Sequence, residues 1–400
     1  MLAGPREERF ESLDVLRGVA VLGILAINMQ AMAQPASIFE NPSLLGASFG
    51  ESGHWWAIAS TFFQFKFITI FSALFGAGII LMVGEEKPSG GRVAIHYRRM
   101  FWLLLFGLTH AFAIWFGDIL TPYALAGFIV VLARRWSPRR LIVVGMLLIS
   151  ILGLAILAQA VMLPHMPPEE AEKIFADMLA TPEQVQAEIA ALKGAWPMRI
   201  ADTWETPLQF QLIQGLALLP RNIGVMMIGM ALYKMGFFTL RWSTLSYLIV
   251  AAICLPIGIY GSAWATAQYQ VHNFEMLHLM PGQAALYWAS LPQSFAYAAI
   301  VMLIAKLVPA SIITKPFAAA GRMALTNYIG CSFVGFFMFY GLPGLGMIGE
   351  FDLAQQAMTV GIVWVAILII SPLWLGVFRY GPLEWFWRTL TYWSPQKLRR

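Results

Sequence analysis

The stretch "LIVVGMLLISILGLAILAQAVML" fills residues 141–163 and contains no charged side chain. A helix that crosses a membrane needs about 20 mostly apolar residues, and runs of this kind recur along the whole chain. Of the 400 residues, 59% are hydrophobic and 12% are charged, and the mean hydropathy is +0.69. Soluble domains carry roughly 25% charged residues. We therefore predict an all-α, polytopic membrane helical bundle.

The apolar runs predict about ten transmembrane helices in a single integral membrane domain. The spans lie near residues 13–32, 57–83, 100–117, 119–133, 140–163, 208–234, 243–264, 284–308, 317–340 and 355–378. Residues 13–163 form one five-span half, 164–207 an extracytoplasmic loop with amphipathic helical spacing, and 208–400 the second half. Two halves of five spans have opposite orientations, which is the geometry of inverted-repeat transporters.

The charge distribution predicts cytoplasmic N- and C-termini. With this orientation the inner segments include "YRRM" (97–100), "RRWSPRR" (134–140) and "KLRR" (397–400), and the outer loops hold most of the acidic residues. This pattern follows the positive-inside rule. The net charge of +5 is thus a topology signal, and we expect no binding of nucleic acid.

The sequence carries no metal or nucleotide motif. Cys254 and Cys331 both lie within apolar runs and provide neither a disulfide framework nor metal-ligand spacing. There is also no Gly-x-Gly-x-x-Gly, no Walker loop and no His-Glu-x-x-His. We therefore expect no metal.

Charged and polar residues gather at the cytoplasmic ends of four predicted helices. They are Asp14, Arg17, Arg98, Arg99, Arg322, Asn327, Glu384 and Arg388. Any single one is explained by arginine snorkelling or a surface ion pair. Together they predict a basic mouth for a phosphorylated ligand, because arginine binds phosphate in a bidentate manner.

A second polar layer lies deeper, where an ionisable group costs about 2.5–3.5 kcal/mol on insertion scales. Asn28, Lys66, His110 and Arg221 fall at similar depths along their spans and predict a shared polar cavity. His110 is the histidine placed within an apolar span, and an imidazole can act as a base and then as an acid. His54, at the outer start of the second span, is the competing candidate.

Asp118 follows His110 by eight residues, beyond Gly117. Direct pairing on one helix is unfavourable at this spacing, so an Asp118 that orients the ring requires either that the chain folds back at Gly117 or that another helix intervenes. The alternative role is that of an N-cap for the fourth span. The two roles are compatible.

Five blocks of sequence resemble the YeiB-like bacterial inner-membrane proteins. They are "SLDVLRGVAVLGILAINM" (12–29), "FITIFSALFGAG" (67–78), "YRRMFWLLLFGLTHAFAIWFGDILTPYALAG" (97–127), "GRMALTNYIGCS" (321–332) and "GPLEWFWRTLTY" (381–392). The first block is also similar to the start of heparan-α-glucosaminide N-acetyltransferase, and the two groups are placed in one superfamily of transmembrane acyltransferases. The resemblance implies a multi-pass protein of the bacterial cytoplasmic membrane.

The resemblance also implies a reaction and a set of partners. An acyl group would pass from cytosolic acyl-CoA, the co-substrate, to an unidentified acceptor at or across the membrane. By the same resemblance Asn28 would belong to the active site, with His54 as a weaker match. In this hypothesis the arginines hold the CoA phosphates, His110 is the base, and Asn28 or Lys66 stabilises the oxyanion.

The alternative hypothesis is a transporter or exporter of a small metabolite or lipid. Lys66, His110 and Arg221 would then form a proton relay and an anion site. Membrane lipids are partners under either hypothesis, and the aromatic-rich spans are compatible with a homodimer.

Overall fold

The computed structural model describes residues 10–45, 47–85, 91–167, 169–170 and 180–400. These residues form helices joined by short connections, without a β-strand among them. The α-helices are α1 (Glu11–Ala33), α2 (Ala36–Glu40), α3 (Ala47–Phe62), α4 (Lys66–Val83), α5 (Gly91–Ala113), α6 (Leu120–Val130), α7 (Pro138–Met162), α8 (Pro182–Leu192), α9 (Trp196–Thr203), α10 (Glu205–Gln209), α11 (Leu219–Lys234), α12 (Thr244–Val271), α13 (Met276–Leu307), α14 (Thr314–Arg322), α15 (Ala324–Phe339), α16 (Leu353–Val377) and α17 (Pro382–Tyr392).

Six helical segments in the described part of the chain are long and apolar enough to cross a membrane. They are Glu11–Ala33, Ser52–Val83, Pro138–His165, Thr244–Val271, His278–Leu307 and Leu353–Val377. A seventh arises if Glu205–Gly215 and Leu219–Lys234, which meet at 57°, form one span. The all-α membrane class is therefore confirmed, whereas the count of ten stays a prediction.

The remaining three predicted spans correspond to helices that are less apolar, shorter or interrupted. The first half of α5 carries Arg98 and Arg99, and the apolar helix Leu120–Ala133 is short. The third is divided at Met323, where α14 ends and α15 begins.

Helix α1 lies at the centre of the bundle and packs against α4, α13, α14, α15 and α16. Its contact with α14 is a close approach of two backbones. A Cβ atom added to Gly18 would lie 2.0 Å from the carbonyl oxygen of Phe317, and one added to Gly321 would lie 1.8 Å from that of Asp14. This contact fixes the start of α1 beside the junction of α14 and α15.

Helices α5 and α6 form an antiparallel hairpin, because α5 ends at Ala113 and α6 begins at Leu120. Near the open end of the hairpin a ring nitrogen of His96 lies 2.9 Å from the carbonyl oxygen of Gly127. At the closed end Gly107 packs against Asp118 and Thr121. The hairpin therefore places the residues after Gly117 next to the last turns of α5.

The described part of the loop predicted at 164–207 contains helices, and residues 168 and 171–179 lie outside that part. Helix α8 begins with a capping box of Thr181 and Gln184, which satisfies two backbone donors at once. From α9, the Nε1 of Trp196 and an Nη2 of Arg199 donate to the carbonyl oxygen of Ala113, at 2.8 and 3.3 Å. The loop thus covers the closed end of the α5–α6 hairpin.

Candidate active site

A cavity of about 390 Å³ lies among α1, α4, α5, α6, α15 and α17. Along α1 its wall extends from Leu13 to Ile24, which at about 1.5 Å per residue is roughly 16 Å. One end is polar and is formed by the start of α1, the start of α5 and α17. The other end is apolar and reaches the start of α6.

The polar end of the cavity is rich in arginine. Its charged residues are Arg17, Arg99, Arg322, Arg379 and Arg388, with the carboxylates of Asp14 and Glu384. Asp14 pairs with Arg17 at 3.0 Å, and the guanidinium of Arg99 lies 4.2 Å from the centre of the Trp387 ring. Five guanidinium groups against two carboxylates give this mouth a positive field, which favours a polyanionic ligand.

Glu384 caps a helix at this mouth. Its carboxylate accepts from the backbone nitrogens of Leu325 and Thr326, at 2.7 and 3.0 Å, and from the Thr326 hydroxyl. Carboxylates are favourable at a helix N-terminus, here that of α15. Burial nevertheless raises the pKa of Glu384 above its ordinary value of 4.5, and these hydrogen bonds oppose the shift only in part.

Six of the eight predicted mouth residues line the cavity, while Arg98 and Asn327 do not. Arg98 points to the ring of Trp393, at 4.9 Å. The Nδ2 of Asn327 donates to Ala320 and Ser371 and so ties α15 to α14 and α16. Sequence reasoning missed Arg379, although it lies only two residues before the block 381–392.

At its apolar end the cavity finishes at two tyrosines that differ in hydrogen bonding. The hydroxyl of Tyr123 donates to the carbonyl oxygen of Ile68 at 2.8 Å. The hydroxyl of Tyr328 accepts from the backbone nitrogen of Ile119 at 3.3 Å, and its own proton has no acceptor among the described residues. Tyr328 is therefore the free hydroxyl donor at the bottom of the cavity.

Directly behind Tyr328 lies a buried pair formed by His110 and Asp118. The His110 ring is 5.3 Å from the Tyr328 ring, and its Nδ1 is 2.9 Å from Oδ1 of Asp118. Both residues are 1% exposed. The two residues do not lie on one helix. Helix α5 ends at Ala113 and the chain folds back before α6, which is the condition that the sequence sets for direct pairing.

Asp118 also performs the capping role considered for it. Its Oδ2 accepts from the backbone nitrogen of Thr121 at 2.7 Å, in the first turn of α6. From the short π-helix Phe210–Gly215, the Nε2 of Gln211 donates to the Asp118 carbonyl oxygen at 3.2 Å. The Thr121 backbone nitrogen thus holds the carboxylate, and Gln211 holds the backbone of the same residue.

The pair orients His110 as a base. A carboxylate accepts the Nδ1 proton of a neutral imidazole, which leaves the lone pair on Nε2. The Nε2 of His110 is buried and has no hydrogen-bond partner within the described residues. This geometry allows His110 to remove a proton from a group placed beside it.

Comparison with known proteins extends over nearly the whole chain. "Uncharacterized protein YxaH" of Bacillus subtilis is 30% identical over 417 residues, covering 97% of this chain and 96% of that protein. "Uncharacterized protein YeiB" of Escherichia coli is 30% identical over 406 residues, covering 96% of each. The chain belongs to the YeiB-like family. Residues 232–394 of this YeiB-like chain also match the family described as "Protein of unknown function (DUF418)".

The DUF418 match and the whole-chain relatives cover different parts of the site. The match at 232–394 includes the arginines of α14 and α17 but not the α5–α6 hairpin. The YeiB-like relatives extend over both. In this family member the C-terminal half therefore supplies Arg322, Arg379 and Arg388 of the mouth, and the N-terminal half supplies Arg17 and Arg99 together with the His110–Asp118 pair.

Like His110 and Asp118, the other deep polar residues of the YeiB-like chain do not line this cavity. The Nζ of Lys66 donates to the carbonyl oxygen of Ser60 at 2.9 Å, in the last turn of α3, where a cation is favourable. Asn28 is half-buried on α1, and His54 is exposed on α3. The predicted cavity shared by Asn28, Lys66, His110 and Arg221 is not the one that the structure forms.

Arg221 belongs to a separate buried cluster. Its Nη2 donates to the hydroxyls of Thr69 and Ser290, at 2.8 and 3.1 Å. Ser294, one turn after Ser290, donates to the carbonyl oxygen of Lys66 at 2.9 Å. This cluster joins α4, α11 and α13 where the first two helices begin.

Proposed function

We propose that this protein is an acyltransferase of the bacterial cytoplasmic membrane that moves an acyl group from cytosolic acyl-CoA to an acceptor at or across the membrane. One observation carries the proposal. The arginine-lined cavity ends at Tyr328, and the buried His110–Asp118 pair lies directly behind that ring. The positive-inside pattern puts the arginine mouth on the cytoplasmic side, where acyl-CoA is found.

The arginines would bind the CoA phosphates, since guanidinium groups match phosphate geometry. The thioester end would then extend through the apolar part of the cavity toward Tyr328. An apolar, water-poor channel limits hydrolysis of the thioester. The cavity thus separates a charged recognition end from a dry reaction end.

In the reaction, His110 Nε2 removes the proton of the acceptor as the acceptor attacks the thioester carbonyl. The carbonyl oxygen becomes an oxyanion, and the Tyr328 hydroxyl donates to it. Collapse breaks the carbon–sulfur bond, and the CoA thiolate takes the proton from His110. Tyr328 takes the oxyanion role instead of Asn28 and Lys66, because Tyr328 lines the cavity and also contacts His110, whereas Asn28 and Lys66 do not line it. His110 itself does not line the cavity and would act from behind the Tyr328 ring.

The test uses purified protein in detergent with labelled acetyl-CoA and longer acyl-CoAs. The wild type is compared with His110→Gln, and His54→Gln is the matched control because His54 is an exposed histidine. General acid–base catalysis contributes about 10²–10⁴-fold, so His110→Gln should lower acyl release or transfer by at least about 10²-fold. Absence of acyl-CoA binding and turnover in the wild type would remove the proposal.

Transport remains the second candidate, and one observation favours it. Lys66 and Arg221 are buried cations in the first turns of α4 and α11, and each of these helices follows a break in a helical segment. Discontinuous helices whose N-termini point toward an anion are typical of transporter sites. Anion uptake by proteoliposomes that is abolished in Arg221→Gln and retained in His110→Gln would support transport instead.

A further inference from the structure

Three buried polar groups at the closed end of the α5–α6 hairpin lack hydrogen-bond partners in the described part of the chain. They are Nε2 of His110, Nε1 of Trp115 and Oγ1 of Thr121. The three residues are 1%, 4% and 5% exposed, respectively. Buried polar groups in native proteins are almost always hydrogen-bonded, so a group without a partner calls for an explanation.

These groups belong to one small structural unit. The rings of His110 and Trp115 meet edge to face, with centres 6.3 Å apart. Thr121 is held there by its backbone nitrogen, which donates to the carboxylate that also binds His110. Two of the unpaired atoms therefore belong to residues in contact with the His110–Asp118 pair, and the third is the Nε2 of His110 itself.

Their hydrogen-bonding capacities define the missing partner. His110 Nε2 is an acceptor once Asp118 holds the proton on Nδ1, the indole Nε1–H of Trp115 can only donate, and the Thr121 hydroxyl can do either. A carboxylate or phosphate only accepts and leaves His110 unmatched. An alkylamine is protonated near neutral pH, and the resulting ammonium group only donates and leaves Trp115 unmatched. An alcohol hydroxyl both donates and accepts through one oxygen.

We propose that this site binds the hydroxyl group of an alcohol, and that the acyl acceptor is therefore an alcohol and the product an ester. This inference rests on the proposed acyltransferase function. The alcohol oxygen donates its proton to His110 Nε2 and accepts from Trp115 Nε1. As the oxygen–carbon bond forms, the carbon–sulfur bond of the thioester breaks, and the departing CoA thiolate receives the proton that His110 holds.

The site lies on the far side of Tyr328 from the arginine mouth. Trp196 and Arg199 of α9 cover it by their hydrogen bonds to the Ala113 carbonyl oxygen. An alcohol at this site would therefore contact His110 from the side opposite to the arginine mouth. An acceptor bound in this position receives its acyl group from a donor that stays on the arginine side.

The test observes the two ring nitrogens directly by NMR. Protein labelled with ¹⁵N at tryptophan and histidine is placed in nanodiscs and titrated with 1-butanol or with methyl propyl ether, which is similar in size but only accepts. Trp115→Phe and His110→Gln assign the two signals, and Trp264→Phe, which changes an exposed tryptophan, is the control. If one of the variants fails to fold, the titration of the wild-type protein still measures whether its tryptophan and histidine signals shift to saturation.

We expect butanol to shift both the Trp115 Nε1 and the His110 Nε2 signals with one saturation curve, and the ether to leave His110 Nε2 unchanged. Lack of saturable shifts with butanol, or equal shifts of both signals with the ether, would overturn the assignment of an alcohol site. Acyl-CoA turnover is measured on the same sample. Butanol binding without any acyl-CoA binding removes only the proposed function, and acyl-CoA turnover without butanol binding removes only this inference.

Discussion

Replacement of Asp118 by alanine should destabilise the protein strongly, because this carboxylate satisfies two buried donors. It accepts from Nδ1 of His110 at 2.9 Å and from the backbone nitrogen of Thr121 at 2.7 Å. A buried donor left without its partner costs about 1–3 kcal/mol. The loss of both partners in Asp118→Ala should therefore lower the free energy of unfolding by about 2–6 kcal/mol.

Asp118→Asn should cost about half as much. The amide oxygen of asparagine still accepts from one of the two donors, and the amide nitrogen cannot accept from the other. The loss is then about 1–3 kcal/mol. The larger effect of alanine relative to asparagine is the signature of a carboxylate that holds two donors.

The measurement is reversible unfolding of the purified protein in mixed micelles, followed by circular dichroism. Asp352→Ala is the matched control, since Asp352 is an exposed aspartate that caps α16 with Gln355. Loss of such a surface cap costs typically about 1 kcal/mol. The dyad geometry would be refuted if Asp118→Ala were no more destabilising than Asp352→Ala.

Three further predictions concern the mouth and the core. Arg99→Ala should weaken CoA binding in calorimetric titration by about tenfold, as expected for a hydrogen bond to a charged group. The control is the neighbouring Arg98→Ala, which lies outside the cavity wall and should have little effect. Equal losses of CoA affinity in the two variants would contradict the assignment of Arg99 to the mouth. Glu384 has a raised pKa, so the folded state binds the proton of this carboxyl more tightly than the unfolded state does. The free energy of unfolding should therefore fall as pH rises above about 4.5. Unfolding curves measured at several pH values should lose this dependence in Glu384→Gln. Gly18→Ala forces a Cβ to within 2.0 Å of a carbonyl oxygen on α14 and should lower the free energy of unfolding by about 1–3 kcal/mol in the same assay. The control is Gly361→Ala, whose Cβ meets nothing within 4 Å and should be tolerated.

The membrane class and the basic mouth were predictable because both depend on composition along single helices. Apolar runs identify the long helices, and arginines at four helix ends can approach one another wherever those ends share a side of the membrane. Asn327 shows the limit of this reasoning. It occurs in the same block as Arg322, but the helix boundary at Met323 turns it toward Ser371 instead of the cavity.

The His110–Asp118 pair was not predictable from spacing, because it depends on where α5 ends. Ideal helical geometry separates residues eight apart by about 12 Å along the axis, and only the turn between Ala113 and Leu120 brings them together. Lys66 is the opposite case. Its predicted depth in the membrane is similar to that of His110, yet its amine donates to the Ser60 carbonyl oxygen at the end of α3.

The position of α17 has a consequence for biosynthesis. Glu384 and Arg388 of this helix complete a wall that Asp14 and Arg17 of α1 begin, and Trp387 Nε1 joins α17 to the Arg99 carbonyl oxygen at 3.0 Å. A chain made from its N-terminus places α1 in the membrane while residues 382–392 are still untranslated. The arginine mouth is therefore assembled at a late stage of translation, and a partly synthesised chain lacks the guanidinium groups that Arg322, Arg379 and Arg388 contribute.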